Sequence, residues 1–275
     1  MAENSIYAVV LAAGQGTRMK SALPKVLHKI AGRPMVSHLL ATVDSLHAEK
    51  AVVVVGPNME QVAEAVAPHA VAVQHKQLGT GDAVKAAREA LKGASGSVLV
   101  LYGDTPLVRK ETLESMIKER ENGADVVVLG FCPADPARYG RLIVKNGTLE
   151  RIVEYKDASE TERAVRLCNS GVMCVAAEKL FGWLDRLTND NAAGEYYLTD
   201  LVALARADGG KAVAIECAES EVAGANSRAD LAAIEAVVQN ELRKKFLAQG
   251  VTMIDPKTVY FSYDTVLGKD VVIEP

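Results

Sequence analysis

No Cys-x-x-Cys occurs in this chain, whose four cysteines, Cys132, Cys168, Cys174 and Cys217, stand singly. That spacing signals neither a zinc site nor a disulfide framework and reads as buried, reduced thiols. No run of Lys and Arg is longer than the three residues Arg243-Lys244-Lys245, and the net charge is −4. Non-specific nucleic-acid binding draws its affinity from neutralising many phosphates, so no nucleic-acid partner is expected and any phosphate ligand has to be held locally. The opening Met-Ala-Glu-Asn-Ser lacks a basic segment, and the apolar run after it is too short for a signal-peptide core or a membrane span. The cytoplasm is therefore the default expectation, with no membrane partner. Two familiar glycine loops are absent as well. The dinucleotide fingerprint G-x-G-x-x-G fails at Met19 after Gly14 and Gly16, and again at Val84 after Gly79 and Gly81, which argues against a dehydrogenase. No G-x-x-x-x-G-K-[ST] P-loop occurs.

What is present centres on residues 11–25, Leu-Ala-Ala-Gly-Gln-Gly-Thr-Arg-Met-Lys-Ser-Ala-Leu-Pro-Lys, after an apolar run from Ile6 to Val10. The pattern is a strand opening into a phosphate-holding loop. Gly14 and Gly16 remove side chains where the backbone must turn sharply and bring N–H groups to anionic oxygens. Arg18 suits forked contacts with phosphate, and Lys25 serves as a compact point charge. A tight turn with incidental basic residues would explain a lone Gly-x-Gly equally well; Arg18 and Pro24-Lys25 weigh against it.

With 275 residues, 49% hydrophobic and 24% charged, the chain can bury one sizeable core. Apolar β-branched runs alternate with amphipathic segments: strands at Ile6–Leu11, Ala51–Val55, Ala70–Gln74 and Ser97–Leu101, helices at Pro34–His47, Met59–Ala67 and Ala83–Leu91. This βαβ rhythm, with Val runs that lack polar alternation, predicts a mainly parallel sheet buried on both faces, with ligands at the carboxyl ends of its strands. Pro34 fits the first turn of its helix. Gly79 and Gly81 follow a strand and could let a flat base approach the backbone. Asp104, after Tyr102-Gly103, could anchor a hard cation, though it could also cap the next helix or make an Asx turn. After a helix at Lys110–Glu121 the rhythm becomes β-rich, with an Asn146-Gly147 hairpin signal. That predicts an antiparallel insertion beside the parallel sheet, bearing Tyr139-Gly140-Arg141, Glu154 and Asn169-Ser170-Gly171. A strand at Lys211–Glu216 precedes a long helix over Arg228–Gln249. Asn226, just before it, could cap the helix or complete a Mg²⁺ shell without adding charge. Val266-Leu267-Gly268 and Val272-Ile273-Glu274 give two partial hexads of a parallel β-helix, fewer than the three or so repeats a solenoid needs.

The 11–25 stretch resembles the signature of the sugar-nucleotide pyrophosphorylases, L-x-x-G-x-G-T-x-M-x-x-x-x-P-K, at Leu11, Gly14, Gly16, Thr17, Met19, Pro24 and Lys25. Val26-Leu27-His28 narrows the likeness to the N-terminal uridylyltransferase domain of the bifunctional N-acetylglucosamine-1-phosphate uridyltransferase/glucosamine-1-phosphate acetyltransferases. Further matches follow in order: Gln74 with Leu78-Gly79-Thr80-Gly81, Tyr102-Gly103-Asp104, Tyr139-Gly140-Arg141, Val153–Ala158, Asn169-Ser170-Gly171, Gly194–Tyr197 and Ala225-Asn226. Ser170, where Thr is expected, and Ala223-Gly224-Ala225, where Glu-Gly-Val is commoner, depart from the pattern without replacing a ligand.

The resemblance implies a Rossmann-like nucleotide-diphospho-sugar transferase fold over 1–227, a linker helix over 228–250, and the start of a truncated left-handed β-helix over 251–275. It implies a uridine site at Leu11, Ala12, Ala13, Gly14, Gln74, Gly79 and Thr80, and a sugar site at Gly140, Glu154 and Asn169, with Tyr102 and Gly103 nearby. Mg²⁺ falls to Asp104 and Asn226, and phosphate handling to Arg18 and Lys25. The implied reaction joins UTP and N-acetylglucosamine 1-phosphate into UDP-N-acetylglucosamine with release of pyrophosphate, for bacterial cell-envelope precursors. It also implies that the acetyltransferase half and its homotrimer contacts are missing from this chain. A transferase for another sugar or nucleotide, or a non-catalytic nucleotide-sugar binding module, remains an alternative.

Overall fold

The Val-rich runs become the interior of one twisted sheet. A computed structural model describes residues 5–275. Its first half contains strand β1 (Ile6–Leu11), a short hairpin of β2 (Lys29–Ile30) and β3 (Arg33–Pro34), helix α1 (Met35–Ser45), β4 (Lys50–Val55), α2 (Glu60–Ala65), β5 (Ala70–Val73), α3 (Thr80–Ala86), β6 (Ser97–Tyr102) and α4 (Lys110–Glu121). Its second half contains β7 (Val126–Phe131), β8 (Arg141–Lys145), β9 (Thr148–Val153), α5 (Glu160–Arg163), β10 (Cys168–Ala176), α6 (Ala177–Leu184), α7 (Leu201–Ala207), β11 (Ala212–Cys217), α8 (Arg228–Ala248), β12 (Thr252–Met253) and β13 (Val272–Ile273).

The main sheet has the order β11-β7-β10-β6-β1-β4-β5, with the β8–β9 hairpin attached to β10. β5, β4, β1 and β6 are parallel neighbours. β11 is parallel to β7, and β10 alone runs against its neighbours β6 and β7. Successive residues of one strand feed opposite faces. Ala8 and Val10 join the cluster formed with α1 and α4, whereas Val9 joins the one formed with α3, α6 and α7. Burial on both faces explains the unbroken apolar runs, and each such side chain stabilises the fold by about 1.5–3 kcal/mol.

Several boundaries differ from expectation. Pro34 is not in the first helical turn: β3 claims it, and with φ −53° and ψ 142° it stands extended before α1. α3 starts at Thr80 rather than Ala83, so Gly81 is helical. β10 begins at Cys168, and it lies in the middle of the sheet rather than in an insertion beside it. A register shift between Asn169 and Met173 accommodates the polar Asn-Ser-Gly stretch, with Gly171 at φ 91°. Ser170 fits this bulge because its hydroxyl donates to Leu129 O (2.7 Å) and accepts from Val172 N (3.2 Å). The hairpin turn lies at Asn146-Gly147, both at positive φ as a two-residue turn requires.

α8 starts with a capping box in which Ser227 and Asp230 satisfy each other's backbone N–H groups. Ile234 and Val238 pack on Ile30, Ala31 and Met35, while Phe246 packs on Val251, Met253 and Phe261 of the tail. In that tail, β12 pairs in parallel with β13, Thr252 opposite Val272 and Met253 opposite Ile273. Gln239, 2% exposed, ties tail to helix: its amide donates to Phe261 O and accepts from Phe261 N, both at 2.7 Å. The β2–β3 turn joins the same network. Ala31 N donates to Glu235 (2.7 Å), and Ala31 O accepts from Tyr263 N (2.8 Å).

Gln239→Ala leaves both Phe261 backbone groups without partners in a buried setting, which should cost about 2–4 kcal/mol. Urea unfolding monitored by circular dichroism will show it as a lowered midpoint. An unchanged midpoint would mean that the tail adds nothing to the stability of this fold.

Candidate active site

β1 ends between β4 and β6, and the chain leaves the sheet there with Ala12 N donating to Val54 O (2.8 Å) and Gly103 N to Leu11 O (2.9 Å). The following loop makes a 3₁₀ turn at Thr17–Met19, anchored by buried Met19. Gly16 has φ 61°, and a Cβ there would stand 2.6 Å from Lys25 Cβ, so glycine is required for the loop to close on Lys25. Gly14 differs: no protein atom lies within 4 Å of its Cβ position, which leaves its backbone open to a ligand.

Lys25 Nζ pairs with Asp104 Oδ2 and lies 3.3 Å from Asn226 Oδ1, which also accepts from Arg18 Nη2 at 2.9 Å. The Lys25 and Asp104 side chains are only 15% and 16% exposed. Neither oxygen donor is spent on capping. Ser227 caps α8, and α4 receives no side-chain cap at Arg109. The backbone holds the two donors together, because Ala225 N donates to Asp104 O at 3.1 Å. A carboxylate beside a neutral amide oxygen is the donor set of a hard divalent cation. No cluster of three His, Cys, Asp or Glu suited to a metal occurs among the described residues, so further oxygens at this point would come from ligand and water.

Arg228 locks the loop from behind, donating from Nε to Met19 O (3.2 Å) and meeting His28 Nδ1 through Nη1 (3.2 Å). Burial and the Arg228 charge hold the His28 pKa below its ordinary value. Neither residue was assigned a role from sequence, since the first turn of a distant helix gives no local signal.

Leu11, Ala12, Ala13, Gly14, Lys25, Gln74, Gly79, Thr80, Tyr102 and Asp104 line a single cleft of about 290 Å³. Val26, Gln77, Ala83 and Glu195 complete it and were not assigned to the site, although Val26 and Glu195 stand inside motif stretches. Gln77 donates to Ala13 O at 2.6 Å. Gly79 and Gly81 are both required by packing, and Gly79 also lines the cleft. Their Cβ positions would lie 2.7 Å from Tyr196 O and 2.4 Å from Leu187 respectively, so their lack of side chains serves packing within the protein. Tyr196 N donates to Leu78 O, Gly81 N to Tyr196 O, and Leu198 N to the Thr80 hydroxyl. Gly103 is likewise packed, against Val26 and Leu11 O.

A second cavity of about 280 Å³ contains Glu154, Tyr197, Arg138, Tyr155 and Lys156. Asn169 N donates to Gly140 O (2.9 Å), and a Cβ on Gly140 would lie 3.3 Å from both Glu154 oxygens, so the three expected residues meet. Tyr102 lines the first cavity and feels the charge of Glu154 in the second. Its ring covers Gly171, where a Cβ would lie 2.6 Å away. Burial, then the charges of Asp104 and Glu154, raise its phenol pKa and keep it protonated. The Glu154 pKa is raised by burial and by Asp157 and Asp200, against a hydrogen bond with Thr199. Asp200 is raised by burial and Asp157. A larger cavity of about 540 Å³ between α1, α4 and α8, where Arg109 already pairs with Glu241, shares none of these residues.

The family model of the MobA-like NTP transferase domain matches residues 8–252, a span that holds both cavities and all four residues of the Lys25 cluster. The chain belongs to this family. A bifunctional protein GlmU of Paramagnetospirillum magneticum is 54% identical over 277 residues, covering 100% of this chain and 62% of that protein. The GlmU of Rhodospirillum rubrum is 57% identical over 266 residues, covering 96% and 60%. The chain thus spans about three fifths of the length of these curated relatives. A solved structure described as a glucose-1-phosphate thymidylyltransferase from Bacillus anthracis, in complex with a sucrose, superposes with a TM-score of 0.70 at 19% identity, covering 85% of this chain and 95% of that one. At that identity the likeness shows the fold: a mixed, mainly parallel nucleotidyltransferase-like sheet with helices. No helix among the described residues is long and apolar enough to cross a membrane.

A raised Glu154 pKa predicts a pH signature. Stability is unaffected while the carboxyl is protonated in both states, below its ordinary 4.5, and is lost as pH rises through the higher folded value. Glu154→Gln should therefore unfold at a higher temperature than the wild type at pH 7 and match it near pH 4. Parallel melting curves across the whole range would show that Glu154 ionises freely.

Proposed function

We propose that this MobA-like domain transfers UMP from UTP to N-acetylglucosamine 1-phosphate, releasing pyrophosphate and forming UDP-N-acetylglucosamine. The observation that carries this reading is the convergence of Lys25 and Arg18 on Asp104 and Asn226 beside a cleft whose lining residue Tyr102 lies within the influence of Glu154, the carboxylate of a second cavity. The overall similarity to GlmU proteins supports it.

The nucleotide occupies the cleft of Leu11–Gly14, Gln74, Gly79 and Thr80, and the sugar phosphate enters from the side of Gly140, Glu154 and Asn169. A phosphate oxygen of the sugar phosphate attacks the α-phosphorus of UTP in line, and the bond to the pyrophosphate oxygen breaks. The nucleophile is already an anion and requires no general base, so the protein contributes alignment and charge. Lys25 spans both phosphates, and Arg18, more exposed, takes the departing pyrophosphate with its forked donors. Glu154 and Asn169 hold sugar hydroxyls and the amide, and Tyr102, kept protonated, lines the nucleotide cleft. Asp104 and Asn226 would hold Mg²⁺, which would supply neutralisation of phosphate charge.

We place this activity in the cytoplasm, where all four cysteines stay as the free thiols seen here. The parallel β12–β13 pairing supports reading residues 251–275 as the opening of a β-helix joined through α8 to the transferase unit. A homotrimer would be built by the longer protein.

Pyrophosphate release from UTP with N-acetylglucosamine 1-phosphate and Mg²⁺, run beside glucose 1-phosphate, glucosamine 1-phosphate, dTTP and EDTA controls, tests the reading. Metal-dependent release with the first pair alone is expected. Release with a different pair would move the specificity, and tight product binding without release would make the chain a binding module. Lys25→Ala and Asp104→Ala should each cut turnover about 10²-fold or more; near-normal rates would remove them from the chemistry. Asn226→Ala should raise the Mg²⁺ concentration for half-maximal rate, which a Mg²⁺ titration reads directly.

A further inference from the structure

Gln74 follows β5, is 5% exposed and lines the nucleotide cleft. Its Nε2 donates to Gly79 O (3.1 Å) and to Asp82 Oδ2 (2.8 Å). A carboxamide has nearly the same outline either way round, so its neighbours decide which end faces which way. Here both neighbours are oxygen acceptors, a carbonyl and a carboxylate. Rotating the amide would set its own oxygen against both. Both Nε2 hydrogens are thereby used inside the protein, and Oε1 has no donor among the described residues. The Asp82 bond is the charge-assisted, and so the stronger, of the two constraints.

We propose that Asp82, in the first turn of α3, is a specificity-determining positioning residue. By fixing Gln74 with its acceptor toward the cleft, it makes the cleft select a base with a ring N–H, the imide of uracil, over cytosine. Resting on the assignment of this cleft to the nucleotide, the proposal adds the element that reads the base. Cytosine carries a lone pair where uracil carries N3–H, so two acceptors would face each other in a buried setting. Such a mismatch is worth about 10-fold or more in affinity. Asp82→Asn offers Gln74 a donor as well as an acceptor and relaxes the constraint; Asp82→Ala removes it.

The test is calorimetric binding of UTP, CTP and 3-methyluridine triphosphate to the whole chain and to both variants. The wild type should bind UTP about 10-fold or more tightly than the other two. The UTP:CTP ratio should fall toward unity in the variants, chiefly through tighter CTP binding, whereas mere structural damage would weaken both nucleotides and keep the ratio. Equal wild-type affinities, an unchanged ratio in a folded variant, or 3-methyluridine triphosphate binding as tightly as UTP would each overturn the proposal. The outcome does not depend on turnover. Lack of pyrophosphate release would sink the catalytic reading and leave the binding ratios to decide this one.

Discussion

Lys25 and Arg18 carry like charges to one place, and Asp104 and Asn226 make that arrangement tolerable. These four residues come from three segments: the loop after β1, the end of β6, and the approach to α8. Each segment is fixed by contacts that do little else. Gly16 permits the loop to fold onto Lys25, Ala225 binds the backbone of Asp104, and Arg228 grips Met19 and His28 from behind. The adjacency of β1 and β6 in a parallel sheet puts the ends of both strands on the same edge, so the fold delivers the loop and the carboxylate to one point.

The reversed strand β10 brings the residues of the second cavity to the end of β6. It pairs with β6 so that Met173 faces Val100, and its bulge then brings Gly171 under the ring of Tyr102 at the end of β6. A parallel strand in that position would send Asn169 and Gly171 to the opposite edge of the sheet. One reversal therefore joins the β8–β9 hairpin, with Gly140 and Glu154 at its margins, to the mouth of the first cleft.

Much of this could be read from residues alone where local chemistry is restrictive. The strands at Ile6 and Ser97, the helix over Lys110–Glu121 and the Asn146-Gly147 turn follow from periodicity and turn preference. The glycines were legible as constraints but not as to what they accommodate: Gly79 and Gly81 make room for Tyr196 and Leu187, far along the chain. The central place of β10 was hidden because Asn169-Ser170-Gly171 looks like a turn until a bulge absorbs it. Asn226 could have been a cap on spacing; Ser227 took that role because its side chain reaches the third helical N–H. Arg228 and Gln77 act through tertiary contacts that no window of sequence contains, and the Asp82–Gln74 bond depends on how the chain turns from β5 into α3.

The turn at Ala31 gives the molecule a mechanical property. Its N–H is held by Glu235 of α8 and its carbonyl by Tyr263 of the tail, while Gln239 fastens that same tail to α8. The segment bearing Lys25 runs directly into this turn. Opening this turn releases its bonds to helix and tail together, so the turn shares whatever protection against local opening those two elements provide.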